Sequence, residues 1–170
     1  MSRARLRHQR SPNETLLDHD GPPLRFCDDV MKGRVVVINV MCTVCNRVCN
    51  RVCTPAMPNL IEARRLPGAE GSHLHFVSMT LTPLSDAPEA LGEFRKLHGI
   101  TDRWTFLTGN LGSVERVQRA LGLLSPRDGD DLLSHSGMAR CCDERKLRWT
   151  HLNTLLPGSS VARMIRFERV

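Results

Sequence analysis

The chain has 170 residues, enough for one domain with its own core, and 41% hydrophobic content with 12 glycines and 10 prolines places it among globular rather than disordered chains. Its formal charge of +6 raises a nucleic-acid partner, but Arg3, Arg5, Arg7 and Arg10 supply four of those charges and no basic stripe with interleaved aromatics follows, which argues against nucleic acid. No apolar run approaches the roughly 18 residues of a membrane span, and no apolar segment follows the charged N-terminus as a signal peptide requires, so neither a span nor an export address is expected.

Residues 1–13 read as a flexible basic arm and 14–170 as the folded domain. TLLDHDGPPLRF (15–26) places the turn signal DGPP between two short apolar pieces and predicts a hairpin. RVVVINV (34–40) is a continuous β-branched run, the pattern of a buried central strand. A cysteine-rich loop follows. Pro55 and Pro58 then predict a helix beginning near Thr54 or later, with Met57, Leu60, Ile61 and Arg64 on one face up to the Pro-Gly at 67–68.

HLHFVSMTL (73–81) predicts the next strand. Asp86 with Glu89 predicts a capping-box start for a helix bearing Leu91, Phe94 and Leu97 and ended by Gly99. WTFLTG (104–109) predicts a strand, and Ser113 a cap for a helix bearing Val114, Val117 and Leu121, with Gly122 past its end. LLSHSGMAR (132–140) and LRWTHL (147–152) predict a late hairpin. Ser159 or Ser160 would cap a final helix with Val161, Met164 and Ile165. This alternation implies an α/β fold with a partly parallel, mixed central sheet flanked by helices.

The chain has seven cysteines, an odd number in a clustered pattern that points to metal or redox chemistry rather than a secreted disulfide framework. VMCTVCNRVCNRVCTPAMPNL (40–60) holds four of them and repeats CNRV in tandem. Cys45, Cys49 and Cys53 are equally spaced with three residues between neighbours. Two such thiolates with one imidazole suit Cu(I), a soft ion that thiolates select over harder ones. A cysteine at a helix N-terminus is eased toward thiolate by the free N–H groups and the dipole there. Structural zinc usually draws its ligands from two separated knuckles, so zinc fits this loop less well.

FCDDVMKGRVVVINVMCTVC, CTPAMPNL, VSMTLTPLSDAPEAL, WTFLTG, VERVQRALG and LLSHSGMARCCDERKLRW, in that order from about residue 14 to the C-terminus, resemble the SCO/SenC family of copper chaperones. The resemblance implies a thioredoxin-like domain that binds one copper through a CxxxC pair and a distant histidine, here His135. It also implies a role in delivering copper to, or reducing, the copper centre of cytochrome c oxidase, with that enzyme's copper-accepting subunit as partner. Relatives normally work in a bacterial periplasm or the mitochondrial intermembrane space, held by an anchor.

Aligned from the strand side the metal pair is Cys45 and Cys49; aligned from the helix side it is Cys49 and Cys53. A local duplication of NRVC accounts for the ambiguity, and the helix-terminus argument favours Cys49 with Cys53. Thr54 separates Cys53 from the proline that the family usually has directly after its second cysteine, and Thr82 stands where the family commonly has an acid. Cys27, Cys42 and Cys141 read as packing positions at sites often aromatic in relatives, this chain having no tyrosine. Cys142 reads as a structural or free thiol, since a vicinal disulfide with Cys141 would be strained. His73 and His75 share a strand face and read as partly exposed surface residues. The same cysteine loop would also serve a thiol-disulfide oxidoreductase, without need of His135. A third alternative is a decayed relative whose altered loop binds nothing.

Overall fold

The computed structural model describes residues 11–44, 53–66, 74–124 and 137–169, without the side chains of 53–54 and 166–169. Seven strands form one mixed sheet: β1 (Thr15–Asp18), β2 (Pro23–Arg25), β3 (Val35–Met41), β4 (Leu74–Thr80), β5 (Trp104–Thr108), β6 (Met138–Asp143) and β7 (Arg148–Asn153). Their order is β2-β1-β5-β4-β3-β6-β7. Strands β3, β4 and β5 run parallel; β1 and β6 join them antiparallel, each extended by its hairpin partner. The first predicted hairpin is present; the late one forms with its first strand at Met138–Asp143 rather than 132–140, of which 132–136 lie outside the described residues, and the two hairpins lie at opposite edges of the sheet. A single π-helical turn, Phe26–Met31, leads into β3.

The run at 35–41 is apolar on both faces because both are covered. Val35, Val37 and Met41 pack into one core with α1 (Cys53–Arg65), α2 (Pro88–Leu97) and α4 (Gly158–Arg169), through Met57, Leu60, Leu91, Val161 and Ile165. Val36, Ile38 and Val40 pack into the other with the π-helical turn and α3 (Leu111–Ala120), through Phe26, Met31, Val114 and Val117. The strand's period of two divides them. Asn39 interrupts the apolar run but is not unpaired: Ser78 Oγ donates to its Oδ1 at 2.7 Å, and Trp104 Nε1 donates to Ser78 Oγ at 2.9 Å. A buried polar chain thus links β3, β4 and β5. The same alternation buries Cys141 in the first core and Cys142 in the second.

Several helix starts differ from expectation. Helix α1 begins at Cys53, a residue earlier than Thr54, and Pro58 sits inside it. Helix α2 is capped by Ala87, with Pro88 at its first position and no side-chain cap, so the capping box of Asp86 and Glu89 does not form. Pro88 presets the helical φ and brings no N–H to satisfy, which lets the helix start without a polar cap. In α3, Asn110 rather than Ser113 is the cap, its side chain accepting from Gly112 N at 3.0 Å. Helix α4 begins at Gly158, so Ser159 and Ser160 lie inside its first turn, and Pro157 O accepts from Ser160 N and Val161 N. Leu97 is 83% exposed, not part of the apolar face with Leu91. Packing also reaches N-terminally of Glu14: Ser11 is buried, and Asn13 Oδ1 accepts from Cys27 N at 2.8 Å.

Candidate functional site

Parallel strands end their loops on one edge of a sheet, which is where α/β folds build sites. Here β3 and β4 pair without slippage from Val35↔Leu74 to Met41↔Thr80, and Leu81 N closes the edge by donating to Met41 O at 2.7 Å. The segment Cys42–Val44 leaves the sheet there, toward the cysteine loop. Cys42 is 5% exposed, whereas Val44 is 61% exposed, so the chain turns from core to solvent within two residues.

A buried carboxylate holds that exit. Asp86 is fully buried, and Thr43 donates to it twice, through Oγ1 to Oδ1 and through N to Oδ2 at 3.3 Å. Thr80 Oγ1 at 2.5 Å and Thr82 Oγ1 at 3.0 Å also donate to Oδ2. The turn that delivers Asp86 is closed by Asp86 N donating to Thr82 O at 2.9 Å. Asp86 is therefore neither a helix cap nor a surface acid: it ties the first residues beyond β3 to the β4–α2 connection. Thr82, where relatives commonly have an acid, is one of its donors. A Thr-x-Thr-x3-Asp spacing at a strand's end was the available signal, and capping logic hid it.

The second arm of the predicted site arrives at the same edge. β6 runs antiparallel to β3 in the register Val35↔Asp143 to Ile38↔Arg140, so its N-terminal end, Met138, points toward the end of β3 from which the cysteine loop departs. Gly137, with φ +67°, begins the described chain just before it. Gly137 O accepts from Thr154 N at 3.0 Å and Thr154 Oγ1 at 2.5 Å, and Thr154 O accepts from Asn59 Nδ2 at 2.9 Å. Asn59 lies on α1 six residues after Cys53, about 9 Å along the helix axis at 1.5 Å per residue. Two hydrogen-bonded steps thus connect the chain following His135 to the helix that Cys53 opens.

Of the predicted ligands, Cys45, Cys49 and His135 lie outside the described residues, and Cys53 is described as the first backbone position of α1. Two flanks share one end of the sheet, Cys42–Val44 and Gly137–Met138, and α1 is tied to the second through Asn59 and Thr154. Among the described residues no group of three or more His, Cys, Asp or Glu is arranged to hold a metal, and no helix is long and apolar enough to cross a membrane. His73 is outside the described residues; His75 is half-buried in β4, with Nε2 2.7 Å from Thr105 Oγ1. Cys27 packs as expected, its Sγ donating to Ser11 O at 3.1 Å. Cys42 is a correction. It is buried as a packing residue would be, but it is also disulfide-bonded.

Seven strands with helices on both faces, and cysteines between the first central strand and its following helix, define a thioredoxin-like protein. The SCO1/SenC family model matches residues 5–166, and the chain belongs to that family. It is 29% identical over 139 residues to a putative copper-binding protein of Stutzerimonas stutzeri, the match covering 77% of this chain and 63% of that protein's length. Yeast Sco1 with copper bound superposes with a TM-score of 0.70 at 16% identity, over 94% of this chain and 92% of that one. BsSco, a member of the Sco family of cytochrome c oxidase assembly proteins with a disulfide switch, superposes with a TM-score of 0.70 at 18% identity, over 91% and 90% of the two chains.

Proposed function

We propose that this protein holds one Cu(I) through two of Cys45, Cys49 and Cys53 together with His135, and passes it to the copper-accepting subunit of cytochrome c oxidase by exchanging one thiolate ligand at a time. The observation that carries this is the meeting of the β3 exit and the Gly137–Met138 entry to β6 on one end of the sheet, with α1 tied there through Asn59 and Thr154. Copper in the named relatives supports the choice of ion. A helix that opens at Cys53, with no acidic residue in its first turn, favours a thiolate there and supports Cys49 with Cys53 as the pair. Thiolates and a neutral imidazole select a soft monovalent copper over harder divalent ions.

The test is copper stoichiometry of the reduced protein. His135→Ala should weaken copper binding at least about tenfold, or about 1.4 kcal/mol, while the unfolding midpoint of the metal-free protein stays where it was. One undiminished copper per chain in that variant would refute the site. A second reading, a thiol-disulfide oxidoreductase using the same loop, is favoured by the disulfide at Cys42. Turnover of a disulfide substrate that survives His135→Ala would select it.

A further inference from the structure

Five of the six large apolar side chains that stand exposed among the described residues lie at one end of the sheet: Val44, Leu84, Leu111, Leu155 and Leu156. They sit on the connections that follow β3, β4, β5 and β7, the end from which the cysteine loop departs. Those connections, residues 42–44, 81–85, 109–113 and 153–157, contain no charged residue in a chain that is 25% charged. The carboxylate beside them, Asp86, is fully buried and held by threonines. The opposite end of the sheet carries Lys32, Arg34, Arg103 and Lys146. We propose that the charge-free apolar rim is the docking surface for the protein that receives the copper, and that the acceptor meets it with an uncharged, apolar collar around its own copper ligands. This rests on the copper-binding reading above.

Passing a metal by ligand exchange requires donor and acceptor ligands on one ion at the same moment. The acceptor must therefore sit over the end of the sheet where the cysteine loop and the entry to β6 lie, and the rim is what it meets there. A charge trapped at the centre of such a contact without a partner is costly, and interface centres are accordingly poor in charge. The rim is part of the frame of the site: a Cβ on Gly137 would lie 2.9 Å from Leu155 Cγ, so Leu155 rests on the chain that enters β6. On the β1 side it stops at the Glu14–Arg116 ion pair, whose arginine also donates to Ser113 Oγ at 3.2 Å. From β5 to β7 it crosses four strand spacings, about 19 Å, and a helix layer about 10 Å to either side of the sheet makes it about 20 Å deep. The resulting footprint, about 400 Å², is half of the roughly 800 Å² per partner of a standard stable interface. That area suits an acceptor that must leave after the handover, and is too small for a second copy held permanently.

The test is an NMR titration of the isotope-labelled, soluble copper-binding domain of the oxidase's acceptor subunit with the full chain, reduced and metal-free. Leu84, 86% exposed, takes a charge without disturbing the core, and Leu97, as exposed but at the far end of α2, is the control. Leu84→Lys and Leu84→Asp should each weaken binding at least about fivefold, Leu97→Lys should leave it unchanged, and all three variants should hold as much copper as the wild type. Wild-type protein that does not bind the domain overturns the proposal, as do Leu84 variants that bind as the wild type does. Opposite effects of the two charges would show a charged partner face and overturn it too. Sedimentation of the chain with phosphatidylglycerol vesicles, or self-association, abolished by Leu84→Asp while acceptor binding persists, would give the rim to a lipid surface or a second copy instead. Docking is read without metal, so a chain that binds no copper would refute the chaperone reading while the titration still judges the rim.

Discussion

Replacing Asp86 with alanine removes a buried carboxylate that accepts four hydrogen bonds, from Thr43 N and the hydroxyls of Thr43, Thr80 and Thr82. A hydrogen bond to a charged group contributes about 1.5–3 kcal/mol, and a buried donor left without its acceptor costs about 1–3 kcal/mol. The four share one acceptor group and do not add. Thr80 is fully buried and has little access to replacement water, whereas Thr43 and Thr82 are half-buried and can rehydrate. A net loss of about 3–5 kcal/mol follows. For a domain of this size that lowers the melting temperature by about 6–20 °C. Asp86→Asn keeps the shape and one carbonyl acceptor and should cost less. Urea unfolding of the reduced, metal-free protein measures both variants. A loss below about 1 kcal/mol for the alanine, or asparagine as costly as alanine, would refute the view that the carboxylate clamps the β3 exit.

Two further perturbations probe the scaffold. His75, whose ordinary pKa is 6.5, is pushed down to about 4 by burial, reinforced by Arg34, Arg64, Arg103 and His19. The unfolded chain therefore takes up this proton first as pH falls: the stability His75 confers is complete above 6.5 and is lost between 6.5 and about 4. Partial solvent exposure brings that loss to about 1–2 kcal/mol. The urea midpoint of His75→Gln should fall less than that of the wild type between pH 7 and pH 4.5, and parallel profiles would refute the assignment. A Cβ on Gly158 would lie 2.5 Å from Glu62 Cβ and 2.7 Å from the backbone oxygen of Asn59, so Gly158→Ala must push α4 away from α1. Denaturant unfolding should show a cost of about 1–3 kcal/mol; an unchanged midpoint would mean that the two helices separate freely.

The strands were legible in the sequence because each rests on a periodicity that tertiary contacts reinforce. Residues 34–40 read as a buried central strand, and the strand formed, Val35–Met41, is covered on both sides. Helix starts were less legible, since capping residues compete with other uses for the same side chain. Asp86 stands where a cap would stand, but three threonines reach it from elements 4–43 residues away, and Pro88 begins the helix without it. Sequence spacing does not encode such a meeting. Ser113 lost its capping role to Asn110 by a shift of three positions, within the uncertainty of any boundary drawn from local pattern. The edge on which the cysteine loop and the chain after His135 converge is a product of topology. It depends on β6 pairing antiparallel to β3, which no motif in the sequence states. Cys42 looked like filler because a lone thiol in an apolar run resembles a small hydrophobe, and only the fold shows it bonded.

The antiparallel seating of β6 against β3 also orders events in the life of the molecule. A nascent or truncated chain that ends before residue 138 retains every loop sulfur but lacks the strand that would bring in the imidazole, along with Thr154 and its link to Asn59. On the proposed reading, such a fragment could grip copper only with thiolates. Full three-ligand capture would then report that the C-terminal fifth has docked, so acquisition of cargo would double as a checkpoint on completed folding.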